Sequence, residues 1–361
     1  MRGHNTNQIQ LFSYVPIESQ VPQNHPLRSI RDLVDPVLER ISGRFDEIYS
    51  KTGRPSIPPE QLLKALLLQV LYTIRSELQL MEQIQFNLLY RWFVGLSPDD
   101  KVWDETVFSK NRDRLLDGDI AQAFFEEVIA DARKRKLLSK DHFSVDGTLI
   151  EAWASHKSFK PKDEDGPGNG SGGTGAGNVE ADFRGEKRAN DTHESTTDPE
   201  CRLYKKTKGS EAKLSYLGHV MMENRNGLAV DACVTESNGT AERDAAFAMA
   251  MDLPGEHRKT LGGDKNYDTK DHNEDLRTLK ITPHPAAKKQ TSLDQRTLRH
   301  GGYEASQKVR KRIEEIFGWL KTVGPMRKVH LRGRRKVEWQ FRFALAVYNL
   351  VRIRNLAGEY T

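Results

Sequence analysis

Residues Ser306–Lys321, SQKVRKRIEEIFGWLK, read as one helix. Nothing breaks the run before Gly318, and Val309, Ile313, Ile316, Phe317 and Leu320 recur on a single stripe at helical spacing. On a wheel of roughly 100° per residue, Glu314 borders that stripe. Arg310 stands one turn before it and Lys321 two turns after, so the three share a face. Glu315 points almost directly away from the core. An exposed Arg310–Glu314 pair would support the helix only slightly. The other reading is a carboxylate held between two cations at the rim of a buried face, where it serves a site.

Two aspartates favour the second reading. Asp146 lies in HFSVDGTLIEAW and Asp264 in TLGGDKNYDT; each follows a short apolar segment and is adjacent to glycine. With Glu314 they are candidates for one acidic cluster. Its oxygen donors suit Mg²⁺, which binds through few carboxylates and keeps several waters. Two such ions can clamp the attacking and leaving oxygens of an in-line phosphoryl displacement.

The chain resembles the DDE transposases of bacterial insertion sequences, specifically the insertion sequence five family. The helix of the third acid in that family carries Tyr, two residues, Arg, three residues, Glu, six residues, Lys. Arg310, Glu314 and Lys321 match these spacings, and Gln307 stands where the tyrosine is expected. The resemblance extends over VDGTLIEAW, GHVMMENRNGLAVDA, GGDKNYDT and the amino-terminal GRPSIPPEQLLKALLLQVLY, from about Gly53 to Asn355. It implies an α/β, ribonuclease H-like catalytic domain with a mixed five-stranded sheet, preceded by an all-helical domain. Asp146, Asp264 and Glu314 would be the catalytic acids, holding two Mg²⁺ ions for which Mn²⁺ can substitute. It also implies that Lys321 and Arg310 lie close to DNA phosphates at the cut site. The partners would be double-stranded DNA, as terminal inverted repeats and target, and a second copy of the chain in the DNA complex.

Composition sets the bounds. The 361 residues are 37% hydrophobic and 30% charged, which describes a globular protein. A net charge of +5 and a pI near 9.0 suit a polyanionic partner. Two cysteines, Cys201 and Cys233, with no CxxC, argue against a disulfide framework and a cysteine zinc site; the eleven histidines form no HExxH. The longest apolar run, Leu62–Ile74, is interrupted by Lys64, Gln69 and Thr73, so no membrane span is expected. A cytoplasmic, DNA-facing protein fits these bounds, and the resemblance implies a bacterial one.

Four segments are expected. Residues 1–52 read as a proline-marked extended arm followed by a short helix, IRDLVDPVLERI. Residues 53–138 read as a helical DNA-binding or assembly domain. In it Pro58-Pro59 start one helix, Ser76 with Gln79 caps ELQLMEQIQFNLLYRWFVGL, and Asp104 or Thr106 caps ETVFSKNRDRLL. On that third helix Lys110, Arg112 and Arg114, beside Asn111, are candidate DNA contacts in a helix-turn-helix-like unit. Residues 139–325 form the catalytic domain. Its pattern dissolves over about 158–213, where seven glycines between Gly166 and Gly177 read as a flexible insertion and Arg202, Lys205, Lys206 and Lys208 as possible phosphate contacts. Asn226-Gly227 signals a hairpin between two strands. Asp231 on the second strand is a rival acid expected to face solvent, and Asp268 is the nearest competitor of Asp264. Residues 326–361 carry a basic run with Arg332, Arg334 and Arg335, read as a DNA track, and then the closing helix FRFALAVYNLVRIRNLA.

The expected function is metal-dependent strand cleavage at insertion-sequence ends and strand transfer into target DNA. A ribonuclease H-like nuclease without strand transfer and a non-catalytic transposase-derived DNA-binding protein are the alternatives.

Overall fold

The computed structural model describes residues 15–50, 52, 56–162, 189–205 and 211–358. The glycine-rich stretch and Lys206 and Lys208 lie outside them.

Helices come first: α1 (Ile17–Gln20), α2 (Pro26–Arg40), α3 (Ser42–Ile48), α4 (Pro59–Leu71), α5 (Glu77–Phe86), α6 (Leu88–Val94), α7 (Glu105–Asp117) and α8 (Ile120–Lys134). Local chemistry sets their starts. Pro59 opens α4, Ser76 Oγ accepts from Gln79 N at 3.1 Å at the head of α5, and Asp104 accepts from Thr106 N at 2.9 Å at the head of α7. The arm expected to be extended instead holds α1 and the first turns of α2. The single helix expected from Ser76 is broken at Asn87, whose Oδ1 accepts from Leu89 N and starts α6 afresh. Gly95, at φ 91°, then ends α6 in the left-handed region.

The rest of the chain builds a curled mixed sheet, with six strands among the described residues where five were expected. Its elements are β1 (His142–Glu151), β2 (Phe159–Pro161), β3 (His193–Ser195), β4 (Arg202–Tyr204), β5 (Lys213–Glu223), β6 (Ala229–Glu236), α9 (Ala241–Met251), β7 (Lys259–Gly263), α10 (Lys270–Thr278), β8 (Ile281–Pro285), α11 (Gln295–Arg299), α12 (Gly301–Val309), α13 (Ile313–Thr322) and α14 (Arg334–Leu356). β1 lies at the centre, antiparallel to β5 and parallel to β7. β6 and the short β4 share the far edge of β5, and β8 runs parallel to β7 at the other edge. Pro283 and Pro285 sit within β8, as an edge strand permits. Gly227, at φ 73°, turns the β5–β6 hairpin. Where the sequence pattern dissolves, β2 and β3 form a separate pair.

The two faces of the sheet bury different layers. Phe143 and Val145 of β1 pack with Met221, Leu261 and Tyr267 against α9 and α10. On the other face Ile150 meets Phe341 of α14, a 23-residue helix that also packs on α8, α2 and α4 and joins the amino-terminal helices and the sheet in one core. Buried Asn349 of α14 receives Ala229 N at 3.0 Å and donates to Ala229 O at 2.8 Å, completing the outer edge of β6.

Gly218 lies under this junction. A Cβ there would stand 2.8 Å from both Ile150 Cδ1 and Phe341 Cζ. Gly218→Ala is therefore expected to cost about 1–3 kcal/mol through overpacking, read as a lower urea midpoint with an unchanged slope.

Candidate active site

Register brings the two aspartates level. β1 and β7 pair His142 with Thr260, Phe143 with Leu261 and Ser144 with Gly262. Counting on two residues places Asp146 opposite Asp264. There β7 has ended at Gly263 while β1 runs on to Glu151, which leaves a notch beside β1. Thr260 N donates to Asp141 O, so the odd-numbered residues of β1 turn their backbone groups toward β7. Gly147 N therefore points into the notch, and Asp146 Oδ1 accepts from it at 2.8 Å. Asp264 caps the turn after β7, accepting from Asn266 N at 2.7 Å. Both carboxylates remain part-exposed.

The other acids are accounted for by structure. Asp268 is buried and accepts from Lys288 N at 2.9 Å and Asn273 Nδ2 at 3.2 Å. Burial alone would raise its pKa, but these bonds and those from Thr291 and Ser292 outweigh it and hold the carboxyl below its ordinary value. It ties α10 to the loop before α11. Glu223, wholly buried, accepts from the backbone of Ser139, Arg225, Asn226 and Leu228.

Asp231 does not face open solvent as expected. It lines a cleft of about 1080 Å³ between α8, the β5–β6 hairpin and α9, with Phe125, Val230 and Met249. Burial pushes its carboxyl up to about 6; Ala232 N and Arg342 oppose this, and Asp252 and Glu126 add to it. The folded state thus holds this proton more tightly than the unfolded chain. Stability from this group is greatest at low pH and falls as pH rises to about 6. Asp231→Asn is expected to remove that fall and to be about 2 kcal/mol more stable at pH 7.5, measured by chemical denaturation across pH.

The helix carrying Glu314 is not continuous. Between α12 and α13, Arg310–Arg312 tighten into a 3-10 turn. Such a turn advances about 120° per residue rather than 100°, which rotates Glu314 away from Arg310. Arg310 Nε donates to Gln307 Oε1 at 3.0 Å rather than to Glu314, and its Cβ lies 3.6 Å from where Gly262 would carry one. Arg310 thus rests on the β1–β7 junction. Ile313, Ile316, Phe317 and Leu320 are buried as expected, with Val309 only half-buried and Glu314 exposed. On the other flank Arg312 donates to Arg225 O at 3.0 Å. Burial raises the pKa of the Tyr348 hydroxyl, and Glu315 adds to that effect. Glu315 is exposed, on the flank of α13 nearer Tyr348.

Among the described residues no three acid, histidine or cysteine side chains stand close enough to hold a metal ion, so Glu314 does not share a ligand shell with Asp146 and Asp264 in this conformation. Glu242 lies in the first turn of α9. Tyr267, buried at the notch, has its hydroxyl pKa raised well above the ordinary value by burial first, then by Asp146, Glu242 and Asp264.

The candidate cations divide. Arg332, Arg334 and Arg335 are exposed, the last two in the first turn of α14, where Arg334 pairs with Glu338 at 3.5 Å and Arg335 with Asp119 at 3.6 Å. The run before them lies along the end of β1, where Val329 N donates to Glu151 O at 3.0 Å. Lys321 is half-buried and Lys110 exposed. Arg112, however, pairs with Glu77 and Asp113, Arg114 covers the Tyr49 ring, and Asn111 is buried. Residues 95–104 separate α6 from α7, too long a connection for a tight helix-turn-helix. No helix among the described residues is long and apolar enough to cross a membrane.

Residues 15–114 match the family model described as a transposase domain, DUF772, and residues 268–354 match the transposase DDE domain. The second match contains Arg310, Glu314 and Lys321; Asp146 and Asp264 fall between the two. No curated protein matches the chain in sequence. Among solved structures, the piggyBac transposase synaptic complex with hairpin DNA is 9% identical, with a TM-score of 0.42 over 92% of this chain and 76% of that one. The Mos1 transposase paired-end complex with left transposon end is 11% identical, with a TM-score of 0.21 over 80% and 87%. The mariner Mos1 paired-end complex with Mg is also 11% identical, with a TM-score of 0.21 over 94% and 99%. Scores below 0.5 carry no inference about this chain, so its family rests on the two sequence matches. Together these matches support a DDE transposase of the insertion-sequence type.

Proposed function

We propose that the chain cleaves DNA at the ends of an insertion sequence of the insertion sequence five type and joins the freed 3′-hydroxyl to target DNA, using Asp146, Asp264 and Glu314 on a ribonuclease H-like sheet. The observation that carries this reading is the β1–β7 register, which levels Asp146 with Asp264 in the notch. The carboxylates of Asp146 and Asp264 are hard oxygen donors of the kind Mg²⁺ or Mn²⁺ takes, and they would hold such an ion together with Glu314 once that side chain is brought to them. Two bound ions would supply the positive charge that activates water and stabilises the leaving oxygen.

The chain's own residues hold and orient. Asp146 and Asp264 are fixed by the backbone N–H groups of Gly147 and Asn266. Glu314, exposed on α13, swings toward them when DNA enters. Arg310, over the junction, and Lys321 hold the scissile phosphate. Arg332, Arg334 and Arg335 track the flanking backbone. Two ends are joined in one event, so a homodimer assembles on DNA.

The test is incubation of the purified protein with its own flanking DNA. Nicks followed by joined products are expected with Mg²⁺ or Mn²⁺, and binding without turnover with Ca²⁺. Nicking that persists in excess chelator contradicts the metal site. Nicking without joined product selects the nuclease alternative.

A further inference from the structure

Trp153 stands where the chain leaves β1. Of the five tryptophans it is the one that stays open, at 40% exposure; the others are buried or half-buried. The backbone around it is held on both sides. Ala152 N donates to Leu214 O at 2.9 Å, Val329 N donates to Glu151 O at 3.0 Å, and Ala152 and Ala154 are buried. The indole is thus presented by a fixed support. The His330 ring rests against it, at 4.8 Å between centroids and 51° between planes. That spacing is ordinary contact for a ring pair and leaves no room for a third ring between them. Another ring can stack only on the open part of the indole.

The surroundings are basic. Val329 is buried while its neighbours Lys328 and His330 are exposed, as are Arg327 and Arg332. Lys157 and Lys160 are exposed on the chain that leaves Trp153. Glu151, the nearest acid in sequence, is already engaged by Lys213 at 3.0 Å and Lys328 at 3.6 Å. A partner matched to an open indole beside these cations carries negative charge and flat aromatic faces together. Duplex DNA offers the charge but hides its base faces in the stack; an unpaired strand offers both.

We propose that Trp153, backed by His330, is a stacking platform for an unpaired base of the DNA, whose phosphates Arg327 and Arg332 meet. The inference rests on the reading of the basic run as a DNA track and adds that this end of it takes single-stranded DNA. Every base has a π-face, so the platform fixes the strand's position without reading its sequence.

The test is binding of the full-length protein, in Ca²⁺, to its flanking DNA as a blunt duplex and as the same duplex with a single-stranded tail carrying 2-aminopurine. The parent is expected to prefer the tailed duplex and to quench the 2-aminopurine fluorescence. Trp153→Ala is expected to weaken tailed-duplex binding about tenfold and to abolish the quench, with blunt-duplex affinity and melting unchanged. Trp153→Phe is expected to keep most of the preference. No preference in the parent, parental tail binding by Trp153→Ala, or equal losses on both duplexes overturns the proposal. So does an altered oligomeric state in sedimentation with tail affinity unchanged, which assigns the ring to a protein contact. If the parent binds neither duplex, the DNA-track reading fails and the platform with it. Should Trp153→Ala fail to fold, Trp153→Leu replaces it, and a parental preference for the tail there overturns the proposal.

Discussion

Replacing Asp146 or Asp264 with asparagine is expected to lower single-turnover cleavage and joining by several orders of magnitude while folding and DNA binding persist. The change removes one charge and keeps the shape. Asparagine Oδ1 can still accept from Gly147 N or Asn266 N, so the strand ends keep their geometry. What is lost is the charge that holds a cation at the reacting phosphate, and electrostatic stabilisation is commonly the largest single part of such catalysis. The measurement is single-turnover cleavage of end DNA, with binding checked by gel shift in Ca²⁺. Cleavage within tenfold of the parent in both variants would leave the notch without a catalytic role.

Glu223→Gln is expected to do the reverse, costing about 2–4 kcal/mol of stability with no selective effect on chemistry in whatever fraction folds. Both carboxylate oxygens receive backbone N–H groups: Oε2 from Ser139 and Arg225, Oε1 from Asn226 and Leu228. An amide must turn its NH₂ toward one of these pairs, setting donors against donors in a fully buried place. The connection after α8 then loses its anchor on the β5–β6 hairpin. Thermal and urea unfolding measure this directly.

The contrast between these acids marks how far the sequence could be read. Asp146 and Asp264 announced themselves because each ends an apolar run beside glycine. Glu223 also ends an apolar run, with asparagine rather than glycine beside it, and only the backbone donors folded around it give it a structural role. Asp231 alternates along its strand as a solvent-facing residue would, but α8 and α9 wall the cleft over it, and tertiary cover leaves no trace in alternation. Asn87 breaks a helix with its side chain rather than with proline or glycine, so periodicity carried the helix across it. The turn at Arg310–Arg312 escaped because three successive cations carry no apolar marker from which to judge twist. The three-residue strands β2, β3 and β4 are too short to alternate. The helical starts at Pro59, Ser76 and Asp104 were legible because capping is local chemistry.

In the proposed mechanism carboxylates from two strand ends and one helix act as a single site, and the two neighbouring glutamates on α13 test it. They are identical side chains, so composition cannot separate them. Arg310 rests over Gly262 on one flank, while Arg312 and Glu315 lie toward Arg225 and Tyr348 on the other. Glu315 cannot reach the notch without pulling Ile313 and Phe317 from the core. Single-turnover cleavage by Glu314→Gln and Glu315→Gln, at matched protein and Mg²⁺, is the decisive measurement. Glu314→Gln is expected to fall with Asp146→Asn by several orders of magnitude, and Glu315→Gln to keep most activity. A dead Glu315→Gln beside a fully active Glu314→Gln would contradict the site.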